Sequence, residues 1–373
     1  MKYWRGYLVA GIVTACTLAL QAFAKAHSTL VDMIYPYVTR MLQSFLAQWS
    51  GTVTFCVWQV LLMALVVIAL ASVVLMLVMK WNPIQWLGWV LTGVSILFLM
   101  NTGLYGLNAY AGSLAEDIYM EDAEYQYTLS ELEDAVVYYR DQANALAEKV
   151  DRNSDGAVNF PAFTLMAEQA GEGFKALTYE QHYPVFAGST EPVKELGWSG
   201  MYAARKVSGM IMPLTGEAAV NPKAPAVFQP FAMCKEMSRR MCIAVEADAN
   251  LAAFMAASAN PELHFQYSAY LTAYRYCWGA LEAINKSTGG NSAKIAASGE
   301  SAKLKQDLKT YTEFFGKKAE TEGGNCDLLV LWYVQKVVMP QQVEPETQQF
   351  DPRDPQQVDL SGLVNAPTEP SAP

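Results

Sequence analysis

Histidine is nearly missing from this chain. Only three of the 373 residues are histidine, His27, His182 and His264, and they lie far apart in the sequence. Without a histidine pair to accompany the cysteines, a zinc-thiolate site is not expected. Charge is scarce as well. Charged residues make up 17 % of the chain and hydrophobic residues 52 %, too apolar for a wholly soluble protein and suited to a soluble domain joined to membrane segments. Positive charge is in deficit, 26 basic against 36 acidic residues for a net −10, which removes nucleic acid as a partner. Of the six cysteines, Cys16 and Cys56 fall in apolar runs. Cys234 and Cys242, taken as sharing one helix, stand about 12 Å apart, too far for a disulfide, which leaves Cys277 with Cys326 as an open pairing.

What the chain has in quantity is apolar sequence near its start. Residues 7–24, 52–79 and 86–110 are runs long enough to cross about 30 Å of hydrocarbon. Trp81, Trp86 and Trp89 stand at the mouth of the second loop, where indoles favour the membrane interface. The first run ends in Ala22-Phe23-Ala24, so it fits either a cleaved signal peptide or a first span. Lys2, Arg5 and Lys80 mark the cytoplasmic side, against Lys25 and Arg40 in the opposite loop, and everything after about Ala111 is then extracytoplasmic. Between the first two runs, residues 27–50 carry Met33, Tyr37, Met41, Phe45 and Trp49 at helical spacing. Such a stripe packs on neighbouring spans or lies in the interface.

The organisation expected is a membrane region at 1–111, an extracytoplasmic domain at 112–340 and a disordered tail at 341–373. The tail is rich in Pro, Gln and acid and buries too little to offset ordering. Thr128 and Glu131 form a capping box for a helix with Leu132, Val136, Tyr139, Ala143 and Leu146 on one face. Asp151, Asn153, Asp155 and Gly156 match the first half of a calcium loop, but Ala162 stands where a bidentate Glu belongs and Pro161 precedes it. The same residues make an ordinary helix-ending turn. Val207 to Leu214 reads as a strand followed by a turn, 287–300 as a loop, Ser301 to Glu320 as a basic amphipathic helix and Leu328 to Val338 as a last apolar element.

The stretch from Phe231 to Asn250, FAMCKEMSRRMCIAVEADAN, carries the chemistry. Seen as one helix, it brings Lys235, Glu236, Arg239 and Glu246 near one another. On that spacing alone, a solvated face with ion pairs accounts for it. Six segments add to this: IYPYVTRMLQSF at 34–45, GLNAY at 106–110, LTGEAAVN at 214–221, QPFAMCKE at 229–236, EADAN at 246–250 and QYSAYLTAYRY at 266–276. In these residues and their order the chain resembles the bacterial membrane-protein family known as domain of unknown function 3810, placed with gluzincin-type zinc metallopeptidases. The resemblance runs unbroken through the first apolar run, which favours an uncleaved span.

The resemblance implies a mainly α protein: three transmembrane helices, then an α+β extracytoplasmic domain of zincin-like architecture in the bacterial cell envelope. The family pattern is H-E-x-x-H followed by E-x-E-A-N. On this chain it places the general base at Glu236 and the third metal ligand at Glu246, with Asp248 shortening the second Glu. Lys235 and Arg239 stand where the two ligand histidines belong. Neither donates a lone pair as an ordinary cation, and Arg keeps its proton in proteins. The expectation is therefore no bound metal and an ion-paired relic. The resemblance further implies that the strand holding Val207, Gly209, Ile211 and Pro213 binds an extended peptide by backbone pairing.

Three functions follow from this. The first is a membrane-anchored, catalytically inactive peptidase relative that touches the lipid bilayer and binds a peptide or an envelope protein. The second is an active membrane-bound hydrolase with zinc on Glu236, Glu246 and His264. The third is a structural membrane module. Ligand chemistry places the first ahead of the second, while sequence does not separate the first from the third.

Overall fold

A computed structural model describes residues 4–120, 127–316 and 326–340. The protein is mainly helical with one small sheet. The proposed tail at 341–373 lies outside the described residues, as does the stretch 317–320 at the end of the helix expected over Ser301 to Glu320.

Three N-terminal helices are long and apolar enough to cross a membrane: α1 (Arg5–Ala26), α3 (Val57–Val78) and α4 (Pro83–Leu104). The third apolar run was expected to continue to Tyr110, but α4 stops at Leu104 and the chain tightens into a 3₁₀ turn at Gly106–Tyr110. Asn82 begins α4 by accepting from the amides of Ile84 and Gln85, with Pro83 in the first turn, where its missing N–H costs nothing. α1 packs on α4 through glycine: a Cβ on Gly6 would lie 2.5 Å from the Gly88 carbonyl carbon. Thr92 Oγ1 donates to the Gly6 carbonyl at 2.9 Å, the close small-residue crossing used between apolar helices. No residue in the most apolar window of α3 is buried.

Between α1 and α3 runs α2 (Ser28–Gly51). It touches the domain that follows α4 at several points. Arg40 Nε donates to the Met241 carbonyl (3.0 Å), Gln43 Nε2 to Pro213 (3.0 Å), and the Gly112 amide donates to Asp32 (2.8 Å). The turn at Gly216, with φ +65°, sits directly against Gln43, Leu46 and Ala47.

The remaining domain is a helical core against a three-stranded sheet. The capping box at Thr128 and Glu131 starts α5 (Leu129–Ala147), and Leu132, Val136, Tyr139, Ala143 and Leu146 are all buried. α6 (Phe163–Lys175), α7 (Gln229–Arg240), α8 (Glu246–Ala259) and α9 (Leu263–Thr288) continue the core, to which α10 (Ala302–Phe315) adds Leu304 and Tyr311 and α11 (Asp327–Tyr333) adds Leu329, Val330 and Leu331. α8 lies at the centre. Its alanines allow close approach, and Ala249 to Ala257 are buried throughout. Residues 287–300 hold a short helix, Ser292–Ser298, where a loop was expected. Asn285 closes it by accepting from the Ala293 amide, a contact from the preceding helix that local composition does not encode.

The strands are β1 (Lys194–Glu195), β2 (Gly209–Met212) and β3 (Glu217–Val220), in the order β1-β3-β2. β1 runs parallel to β3 and β2 antiparallel to it, with Gly209 opposite Val220. Val207 and Pro213, expected within the strand, flank it, since Pro213 has no amide to donate.

Candidate functional site

α7 begins after a 3₁₀ turn, with Pro230 in its first turn, and the Phe231 amide is taken up by Ser268 Oγ at 3.0 Å. Its far end corrects the reading of 231–250 as one helix. Cys242 adopts a left-handed conformation at φ +72°. The Cys242 amide then reaches the Arg239 carbonyl (2.9 Å) and the Ile243 amide reaches that of Ser238 (3.2 Å), a Schellman-type stop. The chain turns and restarts as α8 at Glu246.

This break makes the site. On one continuous helix Glu246 would lie about 10 Å along the axis from Arg239. Instead it folds back, and its two carboxylate oxygens each take one cation, Oε1 from Lys235 Nζ and Oε2 from Arg239 Nη2. Ser238 Oγ, 3.3 Å from the Ala249 carbonyl, stitches the two helices on the buried side.

Glu236 lies beneath. Its side chain is 3 % exposed, and Arg239 Nη1 stands 3.4 and 3.5 Å from its two oxygens, at the long limit for a hydrogen bond. Burial pushes its carboxyl above the usual glutamate range, opposed by Arg239 and Lys235. Glu246 behaves oppositely. Its side chain is 47 % exposed, and although its partial burial acts upward, Lys235 and Arg239 outweigh that and hold it below the usual range. Two acids against two cations leave the cluster neutral overall.

The edge strand lies against this cluster at Gly209. A Cβ on Gly209 would stand 2.8 Å from Glu236 Cγ and 3.1 Å from the Ala219 carbonyl, so glycine sets how closely β2 approaches the acid. Tyr105, just past the end of α4, lies within electrostatic reach of Arg239, Glu236 and Glu246. Nothing in its local sequence marks Tyr105. Only its position after the apolar run, next to GLNAY, places it near the site.

The other candidates sit elsewhere. Asp248, in the first turn of α8, is 5 % exposed and accepts from Ser113 Oγ at 3.1 Å. Burial lifts its carboxyl to about 6 against that bond and one from the Leu114 amide. His264, in the first turn of α9, is 7 % exposed, its ring tilted against those of Phe160 and Phe265. Burial lowers its imidazole below the usual value. Among the described residues no three of His, Cys, Asp and Glu gather closely enough to hold a metal ion, so Glu236, Glu246 and His264 do not form one ligand set. His182 is exposed, with φ +60°.

The stretch with Asp151, Asn153 and Asp155 is a turn closed by its own bonds. Asn153 Oδ1 accepts from the amides of Asp155 and Ala157, both at 3.0 Å, and Arg152 pairs with Asp307 at 2.7 Å while also donating to the Gly156 carbonyl.

Two further polar features escaped sequence reading. Arg240 is buried and donates to the carbonyls of Ser189 and Glu191, tying the loop before β1 to α7. Lys194 and Glu217 form a buried pair at 2.7 Å. Both depend on residues about 20 to 50 positions apart, which no local pattern joins.

No curated protein and no solved structure matches the chain. A family profile does: the family described as protein of unknown function (DUF3810) matches residues 31–325, beginning after the first apolar run instead of running through it, and the chain belongs to that family.

Proposed function

We propose that this protein is a membrane-anchored, catalytically inactive relative of zinc peptidases, with a zincin-like outer domain that binds an extended peptide along β2. The observation carrying this reading is the double salt bridge from Lys235 and Arg239 to Glu246 above the buried Glu236. The cations stand where imidazoles would face a metal, and they satisfy the carboxylate that would have been its third ligand. Glu236 keeps the place of a general base with no metal-bound water to act on. β2 is an outer strand of its sheet, the position that strand addition uses, and Gly209 keeps that strand's own backbone close to the acid. The basic residues Lys2, Arg5 and Lys80 support an orientation with the domain outside the cytoplasm, because the membrane side richer in Lys and Arg is the cytoplasmic one.

Elemental analysis of the purified full chain tests the metal half. Wild type is expected to hold no stoichiometric zinc, and Lys235→His with Arg239→His to gain it. One equivalent of zinc in wild type would end the proposal. For the peptide half, binding to an unstructured peptide library is expected to survive Glu236→Gln and to be lost in Gly209→Val, whose side chain wedges β2 away. Chelator-sensitive cleavage of casein that Glu236→Gln abolishes would instead establish the active hydrolase.

A further inference from the structure

α2 is folded inside out for a helix in water. Its protein-facing side carries Val31, Thr39, Gln43, Ala47 and Ser50, most of them small or polar. Its two charged residues also turn inward, Asp32 to the Gly112 amide and Arg40 to the Met241 carbonyl. The outward side carries Met33, Ile34, Tyr37, Met41, Phe45 and Trp49, from 52 % to 71 % exposed. Scattered exposed apolar residues mean nothing, but a contiguous apolar face with no charge on it marks a contact.

The connectivity says what covers that face. Only His27 separates α2 from α1, and only residues 52–56 separate it from α3, and both neighbours are apolar enough to cross a membrane. In the middle, Tyr35 donates to the Thr102 carbonyl (3.0 Å) and Gln43 to that of Leu104 (3.4 Å), at the end of α4. A helix of about 36 Å, tied at both ends and at its centre to the same ends of three such helices, runs along the surface they emerge from.

We propose that the outward face of α2 is a lipid-binding surface, embedded in the headgroup–acyl boundary of the leaflet on the domain's side. This rests on α1, α3 and α4 spanning the bilayer. Interfacial helices usually add basic residues that attract anionic lipid. Here Arg40 is committed to protein carbonyls, so the contact is with acyl chains and is indifferent to headgroup charge. The domain is then held flat against the membrane, with the Lys235–Glu246 cluster and Tyr105 near its surface.

Nitroxide labels on the full chain in phosphatidylcholine nanodiscs, with and without phosphatidylglycerol, test this by power saturation with oxygen and a water-soluble nickel chelate. In a Cys16→Ala background, Met41→Cys and Phe45→Cys report on α2, Ile68→Cys on α3, and Lys309→Cys on the exposed side of α10. Positions 41 and 45 are expected to show oxygen-to-nickel ratios several-fold above position 309 and below position 68, unchanged by anionic lipid. Nickel access at 41 and 45 equal to that at 309, with 68 still protected, overturns the proposal. Shielding of 41 and 45 from both reagents also overturns it, since a protein would then cover the face. Nickel access at 68 itself overturns the spanning reading and this proposal with it.

Discussion

Glu217 and Glu236 are both buried glutamates beside the small sheet, and their surroundings differ in every respect. Glu217, at the start of β3, accepts from Lys194 Nζ, Thr215 Oγ1 and the amides of Val57 and Trp58, all between 2.7 and 2.9 Å. Lys194 in turn donates to the carbonyls of Ser50 and Phe55. Each charge is repaid by short bonds, and together they clamp the start of α3 to the sheet. Glu236, against β2, has Arg239 at the edge of bonding distance. A buried acid so thinly paired costs more desolvation than it recovers. The first glutamate holds the fold together through four short bonds; the second is buried with only one long contact to offset its burial.

The sharpest way to break that contrast is to remove each acid. Glu217→Ala strands Lys194 in the interior and frees two amides, and should cost about 3–5 kcal/mol in denaturant unfolding of the detergent-solubilised chain. A cost under 1 kcal/mol would mean that water reaches the pair.

Asp248 extends the comparison to pH. Its folded value of about 6 lies above its ordinary 3.8, so the native state binds the proton more readily than the unfolded chain. The stability tied to this group is full below about 4 and is lost as pH rises through about 6, with an upper limit of about 3 kcal/mol for the whole shift. Thermal melts from pH 4 to 7 should show that decline in wild type and a flatter profile in Asp248→Asn.

Gly209→Val forces a side chain between Glu236 and β3 and should cost about 1–3 kcal/mol as overpacking, read from the same melts. Smallest is Glu236→Gln, which removes a poorly paired charge without changing shape and should shift stability by about 1 kcal/mol or less in either direction. A loss as large as that of Glu217→Ala would show Glu236 to be a structural lock after all, and the contrast would fail.

Much of the helical frame was legible in the sequence because its causes are local. The Thr128 capping box, the apolar face of α5 and the uncharged runs of α1, α3 and α4 each depend on neighbours within a turn or on composition. The cluster of Lys235, Glu236, Arg239 and Glu246 could be named from spacing and resemblance, yet its geometry could not be derived. One left-handed residue, Cys242, ends α7 and reverses the chain, and nothing in MCIAV announces it. The short helix at Ser292–Ser298 was hidden for a related reason, since Asn285 of the preceding helix supplies its closing bond.

The sequence by itself determined which segments are apolar enough to cross a membrane, where helices begin, and that two basic residues, Lys235 and Arg239, flank Glu236. Only the tertiary structure decided that Glu246 answers both cations, that Glu217 rather than Glu236 is fully bonded, and that α2 turns its polar side inward. The reason is range: hydrophobicity and capping act between neighbours, whereas a buried charge is satisfied by whatever distant backbone the fold brings to it.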